Sequence, residues 1–245
     1  MDGFPKELLH LILNNLNIVS LFKSKLICKD LYIVANEILC DIKLYIENKD
    51  IFDLIKENFI HIEFAFKLKK FIYWVDVFYE ACFGGNLDIV NLMIEKGVVD
   101  WNDGLYGACK GGNLNIVYLM IEKGADDWNK GLYGACFGGY LNIVNYMIDK
   151  GADDWNKGLY GACKGGNLNI VYLMIDKGAD DWNEGLYFAC YDGHLDIVNL
   201  MIDKGANDWN DGLHGACFGG HLDIINLMIE KGADPIICKD FGIQI

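Results

Sequence analysis

Positive charge is scarce in this 245-residue chain: 21 lysines and arginines face 35 aspartates and glutamates, a formal net charge of −14. Such a surface repels phosphate backbones, and no basic cluster overrides it, so nucleic acid is not an expected partner. No apolar stretch approaches the ~20 residues that a membrane span needs. The opening MDGFPKELL has neither the basic start nor the apolar run of a signal peptide. The expectation is a soluble, cytoplasmic protein without membrane partners. Histidine is also sparse, at His10, His61, His194, His214 and His221, and none sits in a nucleophile, metal or phosphate-loop signature. The carboxylates recur as solvated helix ends with no singular pair. Neither catalysis nor a cofactor is expected. Of nine cysteines no two stand at metal-ligand spacing, and Cys28, Cys40 and Cys238 lack ligand neighbours as well.

What the chain does have is apolar content, 53% of its residues, and repetition. Trp74, Trp101, Trp128, Trp155, Trp182 and Trp209 recur every 27 residues, and Cys82, Cys109, Cys136, Cys163, Cys190 and Cys217 keep the same interval. One unit reads WNDGLYGACKGGNLNIVYLMIEKGADD, from Trp101 to Asp127. Self-similarity of this kind marks a stacked array. The spacing predicts a short helix over 102–110, capped by Asn102, with Leu105, Ala108 and Cys109 on one apolar face. Gly111 and Gly112 end it. A second helix is predicted from about Asn113 to Lys123, with Leu114, Ile116, Val117, Met120 and Ile121 as its stripe and Gly124 as its stop. The repeating cysteines read as small, buried apolar residues. Helices this short are marginal alone, so each unit must bury its faces on its neighbours.

The run Leu105-Tyr106-x-Ala108-Cys109-x-x-Gly112-Asn113-Leu114-x-Ile116-Val117, followed by Gly124-Ala125-Asp126, resembles the ankyrin repeat, and His194 and His221 match that family's histidine after the glycine. The likeness recurs six times in register and covers about two thirds of the chain. Asp103-Gly104 stands where the family has Thr-Pro, and the unit is six residues shorter than usual. The deficit lies between Ala125 and Trp128, which leaves room for a tight turn instead of the family's projecting finger. The tryptophan is expected to pack where finger contacts would otherwise join adjacent units. Treated as a buried indole, Trp155→Ala should then cost roughly 3–5 kcal/mol.

Two flanking regions complete the organisation. Residues 46–73 read as a degenerate leading unit, since Asp50-Ile51-Phe52-Asp53-Leu54-Ile55 is similar to Asp88-Ile89-Val90-Asn91-Leu92-Met93. Residues 74–235 hold the six regular units, and 236–245 are too short for another pair and are expected as a cap or tail. Residues 1–45 promise three short helices with exposed apolar residues, the first carrying the stripe Leu8, Leu9, Ile12, Leu13, Leu16 after Pro5. Here Phe4-Pro5-x-Glu7-Leu8-Leu9, Ile12-Leu13, Leu16, Leu21 and Ile27-Cys28-Lys29 resemble the F-box, with Leu31 in place of its tryptophan and Phe4 in place of its first leucine. The fold class expected is therefore all-α, an ankyrin-like helix–turn–helix solenoid with an N-terminal three-helix F-box-like module. The resemblance implies docking of Phe4, Pro5, Leu8, Leu9, Ile12 and Leu16 on the Skp adaptor of a Skp–cullin–F-box ubiquitin ligase, while the repeats capture a target. An F-box joined to such repeats is similar to host-manipulation proteins of giant DNA viruses, which would place it in the host cytoplasm. The competing expectation is a plain binding or scaffolding array, monomeric between engagements, whose first helices only cap the stack.

The copies differ at two linked positions. After the cysteine stand Phe83, Lys110, Phe137, Lys164, Tyr191 and Phe218; eight residues further stand Asn91, Tyr118, Asn145, Tyr172, Asn199 and Asn226. Lysine at the first always accompanies tyrosine at the second. Three readings stay open here: inheritance from a duplicated two-repeat unit, a slot shared by both aromatics, or a partner-binding face formed by Phe83, Lys110, Phe137, Lys164, Tyr191 and Phe218. In ankyrin arrays the matching position lies near the concave, ligand-binding side. Phe188, Tyr140 and Tyr146 stand out as possible contact points, and Asp192 reads as tolerance at an exposed turn.

Overall fold

The computed structural model describes residues 74–243, except 96, 98 and 99. The F-box-like segment and the degenerate leading unit thus lie outside the described residues. Within them the chain forms six helix pairs and a terminal short helix: α1 (Trp74–Gly84) and α2 (Leu87–Glu95), α3 (Trp101–Gly111) and α4 (Leu114–Lys123), α5 (Trp128–Gly138) and α6 (Leu141–Asp149), α7 (Trp155–Gly165) and α8 (Leu168–Lys177), α9 (Trp182–Asp192) and α10 (Leu195–Lys204), α11 (Trp209–Gly219) and α12 (Leu222–Lys231), then α13 (Ile237–Asp240). None of these is long and apolar enough to cross a membrane.

Each unit folds for the reasons its pattern suggests. Leu105, Ala108 and Cys109 of α3 and Ile116, Val117 and Met120 of α4 are buried, and the same positions repeat through one continuous core. Gly112 closes α3 at φ +78, a left-handed cap that residues with a Cβ rarely adopt. Gly104, where the family has Thr-Pro, lies against packed side chains: a Cβ there would come within 2.6 Å of both the Met120 sulfur and the Phe78 ring, so these two side chains sit close to the helix backbone.

The helix start differs from expectation. Asp100, not Asn102, is the cap of α3, its carboxylate accepting from the amides of Asn102 and Asp103. Asn102 does something the local pattern could not reveal. Its Oδ1 accepts from the backbone amides of Asp126 and Asp127 at 2.9 and 3.0 Å, across to the start of the next unit. Asn129, Asn156 and Asn183 repeat both bonds, and Asn210 bonds Asp234. This asparagine ties together the tight turns that replace the fingers. Asn156 Nδ2 also donates to the Asp180 carboxylate at 3.2 Å, so the clamp needs both the acceptor and the donor of the amide. Asn156→Ala should cost about 1–3 kcal/mol, because two amides lose their acceptor, and urea unfolding checks this; a loss below about 0.5 kcal/mol would refute the clamp.

The indoles play a smaller part than their spacing suggests. Trp101, Trp128, Trp155, Trp182 and Trp209 are only half-buried, packed against the core's edge, with Trp101 edge-on to Phe78 of the preceding unit at 6.1 Å. The expected cost of Trp155→Ala falls accordingly from roughly 3–5 to about 2 kcal/mol, read by thermal or urea unfolding.

The units stack mainly through their first helices, whereas second helices of neighbours barely meet, so the array closes more tightly along the first-helix side. Small residues permit this approach. A Cβ on Gly107, Gly134 or Gly161 would stand 2.5–2.8 Å from the carbonyl oxygen of Tyr79, Tyr106 or Tyr133 in the preceding unit. Further along the helix, Gly111, Gly138 and Gly165 leave 2.0–2.3 Å to Phe83, Lys110 and Phe137 carbonyls. The α7–α9 junction is the loosest, and α9 is the helix that lacks both glycines, carrying Phe188 and Asp192 instead. Asp192 is therefore not an exposed turn residue. It is half-buried, and one carboxylate oxygen is enclosed with no hydrogen-bond partner among the described residues. Burial holds its carboxyl above the usual range, against the pull of Lys164, His194 and His221.

A second staple joins the units one turn later. Asn113 Nδ2 donates to the Cys82 and Phe83 carbonyls at 3.0 and 2.7 Å, and Asn167 does the same to Cys136 and Phe137. His194 and His221 bond the Lys164 and Tyr191 carbonyls from the same position. Tyr140 fills that slot in the third unit, its ring over Gly112, which makes it an inter-unit packing residue. At the far end α13 packs on α11, with the Cys238 sulfur 3.1 Å from that of Cys217 and Phe241 edge-on to His214 at 5.1 Å.

Candidate binding face

The first helices present two rows of side chains on the tightly closed side of the stack. The residues after the cysteines form one row. Lys110 Nζ lies 5.5 Å from the Phe83 ring and 4.4 Å from that of Phe137, and Lys164 Nζ lies 5.9 Å from Phe137 and 5.6 Å from Tyr191. Tyr191 stacks on Phe218 at 5.0 Å, and Phe218 meets Phe241 edge-on at 6.3 Å. All six expected residues therefore come together as one ladder of rings and ammonium groups. Each lysine stands between two rings, which suits cation–π attraction of ~0.5–1 kcal/mol per partly exposed contact. Phe218 is 60% exposed and Phe83 37%, while the four between are half-buried.

The tyrosines four residues before the ladder positions form a second row, outside the six expected residues. Tyr79, Tyr106 and Tyr133 follow one another at 5.5 and 5.9 Å between ring centres; Tyr160 meets Phe188 at 5.8 Å, and Tyr187 stacks on His214 at 6.4 Å. The 27-residue recurrence of these tyrosines was the available signal. Their hydroxyls are kept protonated by burial first. Tyr160 also donates a hydrogen bond to the Asp181 carboxylate, which raises it further.

The linked aromatics do not share a slot. Tyr118 lies on the second helix, 47% exposed, with its ring edge-on to Tyr146 at 5.1 Å, and among the described residues no ring contact joins it to the first-helix ladder. Tyr146 thus belongs to a second-helix cluster, whereas Phe188 belongs to the first-helix face, where Lys164 Nζ lies 5.7 Å from its ring.

Charge on this face is segregated. The third position of the first helices runs Asp76, Asp103, Lys130, Lys157, Glu184, Asp211, so cations occupy the middle units and carboxylates the ends. Lys130 pairs with Asp103. Lys110 and Lys164 have no carboxylate within ion-pair distance among the described residues, and burial, then repulsion from Lys164, pulls the Lys110 ammonium below its ordinary pKa. Among the described residues no group of three His, Cys, Asp or Glu side chains is placed to hold a metal ion.

With this geometry in place, the comparisons are specific about kind. Residues 77–158 and 159–237 match the family profile described as "Ankyrin repeats (3 copies)". Among solved structures the chain is similar to the human ASB11 ankyrin repeat domain, at 25% identity and a TM-score of 0.43, over 64% of this chain and 84% of that one. No curated protein matches.

Proposed function

This chain belongs to the ankyrin-repeat family, and we propose that it binds a target protein on the first-helix ladder while its N-terminal segment docks a ubiquitin-ligase adaptor. The observation that carries the binding reading is the ladder itself. Six side chains from six units line up in one row, rich in rings and cations, half open to solvent at its ends. Aromatic anchors of this kind supply most of the energy of protein interfaces, because they bury much area at little cost in conformational entropy. Ankyrin repeats serve as a binding scaffold, and the array supplies that scaffold with no demand for chemistry.

The ligase reading rests on residues 4–29, where the F-box register holds from Phe4-Pro5 to Cys28-Lys29. In that reading Pro5, Leu8, Leu9 and Ile12 contact the Skp adaptor, and the chain works as a substrate receptor in the cytoplasm of a host cell. The second reading is a binding array with no ligase role. Full-length protein and a Leu8→Asp, Ile12→Asp double variant, each used as bait in eukaryotic lysate and probed for the Skp adaptor and cullin, separate the two. The expected result is recovery by the wild type and loss in the variant. No recovery by either folded protein would leave the array as a scaffold and refute the receptor role.

A further inference from the structure

We propose that the middle of the first-helix face, over units two to four, is a recognition site for an acidic, aromatic-bearing peptide segment in extended conformation. This deepens the binding reading above and rests on it. The observation is a set of cations, most without a carboxylate partner among the described residues, in a chain of net charge −14. Lys110 and Lys164 come from different units yet both lie within 6 Å of the Phe137 ring, at 4.4 and 5.9 Å. Lys157 stands exposed nearby on α7, and Lys130 alone is paired, with Asp103. Carboxylates face these lysines from neighbouring helices. Glu80 acts on Lys110, and Asp192 feels Lys164, but neither closes an ion pair among the described residues. The ammonium groups of Lys110 and Lys164 repel each other, and an incoming carboxylate relieves that repulsion.

The chain contains no arginine, so an anion on this face meets the point charges of lysine rather than bidentate forks. The overall negative charge does not forbid an acidic ligand. Beyond ~8 Å it is screened at physiological salt, while contacts at the face are made within that distance. An extended strand puts alternate side chains on one side, so acidic residues two apart can both face the lysine row. The tyrosine row beside the ladder, with Tyr106, Tyr133 and Tyr160 half-buried, offers ring edges for an aromatic side chain between or next to the acids.

A phage-displayed library of random dodecapeptides, selected against the folded full chain, tests this. Three variants are screened alongside: Lys110→Glu/Lys164→Glu, the equal charge change Lys123→Glu/Lys204→Glu on the second helices, and Phe137→Ala, each verified by circular dichroism. The expected peptides carry Asp or Glu next to Phe, Tyr or Trp. They should bind the Lys110→Glu/Lys164→Glu chain at least tenfold more weakly, retain affinity for the second-helix variant, and weaken as salt rises. Lys110→Arg/Lys164→Arg should keep them. Peptides without acidic enrichment that are lost on Phe137→Ala would overturn the acidic specificity and leave the face as a binding surface. Peptides indifferent to every face variant, or no enrichment at all, would overturn both.

Discussion

Raising the pH from 9 to 11 should unfold this protein, because its buried thiols cannot ionise where they are. Cys82, Cys163 and Cys190 are fully enclosed, and burial pushes each thiol from an ordinary 9.0 up to about 12. Burial shifts Cys109 and Cys136 in the same direction. The folded pKa is raised, so the neutral thiol is favoured by the native state and the thiolate by the unfolded chain. The resulting stability is fully present below pH 9 and disappears as the pH climbs toward the folded values. Each such thiol contributes a slope of about 1.4 kcal/mol per pH unit within that window. Five acting together give about 7 kcal/mol per unit, against a typical domain stability of ~5–15 kcal/mol. Urea unfolding followed by circular dichroism at pH 8, 9, 10 and 10.5, with reductant present, should show the midpoint falling steeply above pH 9. Cys163→Ala should flatten the slope by about one proton's worth while costing some stability at neutral pH. A midpoint that stays level through pH 10.5 would mean that the thiols titrate freely in the folded array.

Placing the fifth unit's residues into the fourth should show that the loose junction is a coupled pair of substitutions. At the α5–α7 junction a Cβ on Gly165 would stand 2.0 Å from the Phe137 carbonyl oxygen, and one on Gly161 would stand 2.5 Å from that of Tyr133. Backbone on the far side cannot yield as a flexible side chain would. Gly165→Asp alone should therefore cost about 3 kcal/mol or more, since the helices must separate and a carboxylate enters the seam. Gly161→Phe alone forces the same separation at a similar cost. Once one of them has opened the seam, the other occupies space already vacated, as Phe188 and Asp192 do between α7 and α9. The double variant should fall short of additivity by about 1–3 kcal/mol in a double-mutant cycle measured by urea unfolding. Strict additivity would place the two residues in independent gaps and show that Phe188 does not make the room that Asp192 occupies.

The contrast between Asn102 and Asp100 shows where local reading stops. Both are good caps, and within a short window nothing separates them; the choice depends on amides 24 and 25 residues away that only the stacked neighbour supplies. Tryptophan burial failed for a related reason. The interval of the indoles announced that they matter to every unit, but how deep each ring sits depends on the shape of the core's edge. Asp192 read as an exposed substitution because a helix-end glycine is ordinarily a matter of backbone conformation, and the approach of a preceding carbonyl leaves no trace in the residues around it. The ladder was legible as a set of positions, since equal spacing places equal residues in equal surroundings. Its companion row of tyrosines is equally periodic, and the same equality of surroundings aligns it along the first helices.

By itself the sequence determined the period, the two helices of each unit, the buried positions Leu105, Ala108, Cys109, Ile116, Val117 and Met120, and the fact that these units must stack, while Leu114 and Ile121 of the expected stripe stay at the core's edge. Those properties follow from the spacing of apolar residues and the punctuation of glycine, which act within one turn or one unit. The tertiary structure alone decided what joins one unit to the next: the asparagine clamp, the methionine seated against glycine, the closeness of first helices and its exception at Phe188. Such joints depend on whether two atoms from units some 27 residues apart fit within tenths of an ångström, and that fit is a property of assembled surfaces rather than of any stretch of chain.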